Sequence, residues 1–285
     1  MAPHPDPYAG DVTHDHHIRA TEAAISPPSA HFGEDGARLS YGTYLRLGQL
    51  LDQQRLETDA HDELLFITIH QVYELWFKQL LHELEATRQA MFDDRLWWAR
   101  HLLNRVHEIE RILIEQVGVL ETMTPQDFLQ FRARLAPASG FQSVQFRELE
   151  FISGAKDEAF LRRFRGLTEE ESARLRRRLE EPTLWDAFVA VLRAHDLAAG
   201  SDGEVSASLR IAAHDRGGYG DVWELAEALM THDEMAAGWR ARHVTMVERM
   251  IGTKTGTGGS SGASYLRSRL DVRYYPLLWE LRSWL

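Results

Sequence analysis

The chain of 285 residues carries 32 basic and 43 acidic side chains, a net charge of −11, and 44% hydrophobic residues, as one large or two small globular domains would. The acidic balance argues against nucleic acid as the main partner, and no run of 18 apolar residues exists to span a membrane. Cysteine is absent, which excludes disulfides, thiolate nucleophiles, iron–sulfur clusters and cysteine-held zinc or haem, so that a redox cofactor must rest on nitrogen or oxygen ligands or on none.

Residues 1–37 read as a mobile tail, rich in proline, with a His14-Asp15-His16-His17 cluster and little apolar periodicity. Residues 1–10 hold prolines and charges instead of an apolar leader core, so a cytoplasmic location is expected. From Leu39 onward the period is helical. The strongest helix is predicted over 61–92, which lacks Gly and Pro. There Phe66, His70, Tyr73, Phe77, Leu81 and Leu84 share one side, while Gln71, Glu74, Lys78, His82 and Glu85 form the exposed arc. A second helix is predicted over 94–120. Thr124-Pro125-Gln126-Asp127 reads as a helix start, with Thr as cap, Pro in the first turn and an acid behind. Residues 136–145 break the pattern. Residues 155–205 alternate charges densely around 169–178, then turn apolar after Pro182, and are expected to form a solvated helical hairpin inserted into the core. Amphipathic helix returns over 221–251, Gly252 ends it, and a Gly/Ser/Thr-rich loop runs to Gly262 before an apolar, aromatic end. No convincing alternating strand appears, so the fold class expected is all-α.

Two histidines lie on apolar stripes. His70 sits among Phe66, Tyr73 and Phe77, and His243 lies in line with Trp239, Met246 and Met250. Either alone reads as a core histidine bonded to a backbone carbonyl. Two of them on two long helices suit a buried cofactor between the helices, since neutral imidazole is an apt iron ligand and apolar, aromatic walls suit a porphyrin. Neither stripe carries the carboxylates that an oxygen-loving metal would want. Arg132, four residues after Phe128, reads either as a surface ion-pair partner or as a clamp for a carboxylate. The loop over 252–262 is no phosphate loop, because it follows a helix and lacks the required spacing. It serves either as a flexible tether or as backbone able to wrap a polar ligand closely, and it begins nine residues after His243.

Three segments together resemble the tryptophan 2,3-dioxygenase family. They are Ser40-Tyr41-Gly42-Thr43-Tyr44-Leu45 with the helix from Phe66 through His70 to Trp76; Phe131-Arg132 through Ser139-Gly140-Phe141-Gln142-Ser143; and His243 through Gly252-Thr253-Lys254-Thr255-Gly256-Thr257-Gly258-Gly259-Ser260-Ser261-Gly262. The likeness spans about residues 38–285 and implies a single all-helical haem dioxygenase domain, with the segment 155–205 as its insert. It implies a homotetrameric haem b enzyme of tryptophan catabolism that opens the indole ring of L-tryptophan with O2 to N-formyl-L-kynurenine. By the same resemblance His243 is the axial ligand of the haem iron and His70 the catalytic histidine near the indole N–H. Phe66 lies against the indole, Arg132 clamps the substrate carboxylate, and Thr257 meets the ammonium. Phe128, Ser139 and Gly140 complete the substrate pocket, together with Tyr41, Tyr44 and Leu45 donated by a neighbouring subunit. Some members have tyrosine where Phe128 stands, so a hydroxyl contact to the carboxylate is missing here. Three other readings stay open, one of them a purely structural helical assembly protein. A haem-based gas sensor or carrier needs the ligand but no turnover. A helical metal phosphohydrolase of the HD type would draw on the pairs His61-Asp62, His195-Asp196, His214-Asp215 and His232-Asp233.

Overall fold

The computed structural model describes residues 38–163 and 166–285; the expected tail over 1–37, with its histidine cluster, lies outside the described residues. Every regular element among them is a helix. The chain divides into two units, one ending at Gln53 and one spanning Gln54–Leu285.

The described part of the first unit holds α1 (Tyr41–Tyr44) and α2 (Leu47–Leu50). Ser40 caps α1 reciprocally: its Oγ accepts from Thr43 N at 3.3 Å, and its own N–H donates to Thr43 Oγ1 at 2.7 Å. Tyr41 and Tyr44 are 77% and 72% exposed.

The second unit is built on three long helices, α3 (Glu63–Phe92), α4 (Leu96–Glu115) and, much later in the chain, a 36-residue helix over Arg216–Ile251. α4 packs against both of the others, and Leu84, Leu103, Val106, Leu225 and Leu229 are fully buried in the shared core. The entry to α3 is fixed by buried Glu63, whose carboxylate accepts from Glu57 N and Thr58 N, both at 2.9 Å, and from the Thr58 hydroxyl. The helix expected over 94–120 is interrupted: α4 ends at Glu115, Gln116 intervenes, and α5 (Val117–Leu120) follows. Thr124 and Asp127 form the reciprocal cap of α6 (Pro125–Leu135), with Pro125 at its first position. A short 3-10 turn over Gly140–Gln142 then leads into α7 (Val144–Ser153), so the break expected over 136–145 is shorter than its composition suggests.

Where a solvated hairpin is expected, the chain forms α8 (Glu158–Arg163), α9 (Glu169–Glu180) and α10 (Leu184–Ala194). The apolar face of α10 packs on α3, with Leu184, Ala187, Phe188, Val191 and Leu192 fully buried. Even the charge-rich α9 sends a side chain inward. Arg178 is 5% exposed and meets Glu85, Glu148 and Glu181. Alternating charge in a sequence reports a solvated face only when its partners lie on the same helix; here they lie on α3 and α7 as well.

Next comes α11 (Asp202–His214), then the 36-residue helix, α12, which bends at Tyr219, where the backbone leaves helical geometry. Asp233 on α12 accepts three N–H bonds, from Tyr274 N (2.8 Å), Tyr275 N (3.0 Å) and Trp279 Nε1 (2.9 Å), which pins the C-terminal segment with α14 (Pro276–Leu281). Gly252 stops α12 at φ +58°, a left-handed conformation that suits glycine, and α13 (Ala263–Arg267) closes the glycine-rich loop.

Candidate active site

The second unit holds a cavity of about 260 Å³ bounded by α3, α6, α7, α12 and the loop over 252–262. Phe66, His70, Phe128, Arg132, Ser139, Gly140, His243 and Thr257 all line it. Tyr41, Tyr44 and Leu45 belong to the first unit, on and just after α1.

The helical period delivers the aromatic wall. Phe66 and His70 are one turn apart on α3, with ring centroids 4.1 Å apart. Phe128 from α6 stacks on Phe66 at 5.7 Å. Phe131, fully buried one turn below, meets Phe66 edge-on at 5.5 Å and backs the slot. The His70 Nδ1–H donates to Phe66 O at 2.7 Å. This bond fixes the neutral tautomer and leaves Nε2 as an acceptor. Burial lowers the pKa of His70 despite that bond and the charge of Glu74, which act upward. Gly140 passes close to the ring: a Cβ there would sit 3.9 Å from His70 Nε2.

His243 faces this wall from α12. Its ring stacks on Trp239, one turn earlier, with centroids 5.0 Å apart and planes inclined by 12°. Among the described residues no group hydrogen-bonds this imidazole. Burial, and secondarily the nearby His70, hold its pKa down at about 4. The ring is therefore neutral and carries an uncommitted lone pair. Met246, Val247 and Met250 extend the apolar wall beside it. The structure also brings carboxylates to the cavity, against the expectation from the two stripes. Glu74 sits there, taking Gln145 Nε2 at 2.8 Å, although its place on α3 suggested the exposed arc. Glu150 enters from α7.

The polar end is held by contacts between α6, the turn after it and the glycine-rich loop. Arg132 Nη2 donates to Thr255 O, and Thr257 Oγ1 donates to Ala138 O at 2.7 Å. The approach is close enough to need a glycine: a Cβ on Gly258 would stand 2.8 Å from Ser139 Cβ. The loop is thus neither a tether nor a phosphate loop. It is a folded strap over one end of the cavity.

Sequence reasoning missed Arg147, Glu150, Arg240 and Arg269, which also line the cavity. The one signal within a single element was the i,i+3 pair Arg147/Glu150 inside an otherwise apolar helix. The His-Asp pairs are dispersed. His61 bonds Asp62 on the surface, His195 reaches Asp94 at 3.0 Å, and His214 bonds its own helix at Arg210 O. His232 lies between Ser153 and Glu110, at 2.9 and 2.7 Å, inside the core. Among the described residues no three ligating side chains converge as a metal site would require, so nothing supports the phosphohydrolase reading.

The sequence is also similar to known proteins. The sequence model of the tryptophan 2,3-dioxygenase family matches residues 27–203 and 205–285. A protein named tryptophan 2,3-dioxygenase from a Nocardioides species is 72% identical over 258 residues, covering 88% of this chain and 97% of its own length. One of the same name from Herpetosiphon aurantiacus is 44% identical over 259 residues, covering 86% and 98%; another from Exiguobacterium sibiricum is 41% identical over 261 residues, covering 86% and 92%. With eight of the anticipated residues lining one cavity and the match running through nearly all of the described chain, the protein belongs to the tryptophan 2,3-dioxygenase family.

Proposed function

We propose that this chain opens the indole ring of L-tryptophan with O2, inserting both oxygen atoms to give N-formyl-L-kynurenine, the first step of the kynurenine route of tryptophan catabolism. The observation that carries this reading is the pair of neutral imidazoles, His70 and His243, lining one aromatic cavity whose polar end holds Arg132 and Thr257.

The cavity suits haem b. Its donor set offers a neutral imidazole and buried arginine Nε–H groups that have no partner among the described residues, with flat aromatic and thioether walls. His243 would hold the iron. Bound there, haem supplies the redox chemistry that lets O2 react with the indole ring. The protein's own side chains do the rest. His70 Nε2 accepts the indole N–H and fixes the orientation of the ring; a neutral indole is too weak an acid to require its removal as a separate step. Phe66 and Phe128 provide the apolar slot and exclude water. Arg132 pairs with the substrate carboxylate. Thr257 spends its hydroxyl proton on Ala138 O, so its oxygen is left to accept from the substrate ammonium. Ser139 and Gly140 shape the floor beside His70. Two charged head-group contacts select an amino acid far more sharply than an apolar slot alone, and a gas sensor or carrier has no use for them.

In this reading the protein works as a homotetramer in the cytoplasm, and Tyr41, Tyr44 and Leu45 complete a neighbouring subunit's pocket. Their exposure supports a partner of that kind. No described helix is long and apolar enough to cross a membrane.

The test is a visible spectrum of the purified protein followed by oxygen uptake on adding L-tryptophan, with isotopically labelled O2 traced into the product. A haem band, uptake and both labelled atoms in one product molecule are expected. A haem band without uptake would leave the sensor reading in its place.

A further inference from the structure

Four arginines line the cavity, Arg132, Arg147, Arg240 and Arg269, against two carboxylates, Glu74 and Glu150. Glu74 lies beside His70 and takes Gln145. Arg132 is bonded to Thr255 O at the strap. Arg240 donates to Val272 O at 2.7 Å and Tyr274 Oη at 3.3 Å, in the segment that Asp233 also holds. That leaves Arg147 and Arg269 sharing the single carboxylate of Glu150. Arg147 Nη1 bonds one oxygen of Glu150, and Arg269 Nη2 lies 3.7 Å from the other.

This corner is buried and short of negative charge. Arg147 is 6% exposed and Glu150 2%. Among the described residues the Nε–H groups of Arg147 and Arg269, like that of Arg240, have no hydrogen-bond partner, but Arg240 already spends both Nη groups on Val272 O and Tyr274 Oη. A cation taken out of water without a counterion is costly, and so is an orphaned buried donor. The guanidinium of Arg147 is also held in place, 4.8 Å from the ring centre of Phe160 and 5.2 Å from those of Phe141 and Phe146. A rigid, desolvated cation with a spare donor is a preorganised anion seat.

We propose that Arg147 and Arg269, braced by Glu150, seat a carboxylate of the porphyrin. The proposal rests on the haem reading above. The reaction brings only two kinds of carboxylate to the cavity: the one on the amino acid, which Arg132 takes, and those on the cofactor, which otherwise have no assigned cation.

The full-length chain, freed of haem, is titrated with protohaem and with its dimethyl ester, in which both carboxylates are blocked. Binding is read from the visible band in wild type, Arg147→Met and Arg269→Met. Wild type is expected to prefer protohaem on the order of 10- to 100-fold, the worth of a charge-assisted contact, and each variant is expected to lose most of that preference through weaker protohaem binding alone. A full preference in Arg269→Met, or none in wild type, overturns the proposal. So does a variant with unchanged porphyrin binding whose KM rises for L-tryptophan and not for tryptamine, since the seat would then belong to the substrate. If wild type takes up neither porphyrin, the haem reading itself fails, a result distinct from a lost preference. Should Arg147→Met fail to fold by circular dichroism, Arg269→Met decides, because that side chain is 24% exposed and tolerates change better.

Discussion

Replacing Arg132 by Met removes the cation at the polar end of the cavity while keeping most of the side-chain volume. One Nη2–H of Arg132 goes to Thr255 O, which leaves its other donors for a substrate carboxylate. The side chain is half-buried, so each charge-assisted bond is taken at the low end of its range, about 1.5 kcal/mol. Two such bonds amount to about 3 kcal/mol, or on the order of 100-fold in kcat/KM for L-tryptophan. The lost strap contact complicates this, since loosening Thr255 would weaken any substrate. Tryptamine separates the two effects, because it keeps the indole and the ammonium but has no carboxylate. Steady-state oxygen uptake with both substrates should show the 100-fold loss for L-tryptophan and only the smaller strap effect for tryptamine. Equal losses for the two substrates would refute the clamp and leave Arg132 as a loop anchor.

His243→Gly should purify with little haem, and added imidazole should restore the visible band; full haem content without imidazole would remove His243 as the ligand. His70→Ala should keep its haem but lose kcat, and in wild type the acid limb of kcat/KM should fall below the ordinary imidazole value of 6.5, because a lowered pKa keeps the acceptor neutral to lower pH. A limb at or above that value would mean that His70 does not control it. Gly258→Ala forces a Cβ to within 2.8 Å of Ser139 Cβ, so it should raise the KM for L-tryptophan by lifting the strap while leaving haem content unchanged; an unaltered KM would show that the strap is not part of the site. Burial, and then the nearby His232, hold His107 at about 4, against 6.5 ordinarily. The unfolded chain therefore takes up this proton first as pH falls, and stability is lost between the two values. From about pH 7.5 to about pH 5 this one group removes about 2 kcal/mol, so urea unfolding of His107→Gln should show a loss over that interval smaller by about that amount.

What the sequence made legible and what it hid follow from range. The long helix of α3, the Thr124 cap and the two imidazole stripes are written within a few turns of chain, so periodicity alone places them. The interior position of α10 was half visible in its apolar run, but the charges around it pulled the reading toward solvent. Arg178 shows why that inference fails: its carboxylates at Glu85 and Glu148 are 93 and 30 residues away, and no local pattern announces them. The same holds for His232 with Glu110, 122 residues apart, and for Arg269 with Glu150, which join α7 to the end of the chain. Buried charge is affordable only where partners meet, and partners meet only after folding. The two histidines escaped this blindness for a physical reason: each is the polar exception on an apolar stripe, and a stripe must turn inward whatever it packs against. His70 and His243 were therefore bound to approach a common interior, whereas the arginines that would balance an anionic cofactor there could be found only by the geometry that brings α7, α12 and the segment after α13 to one wall.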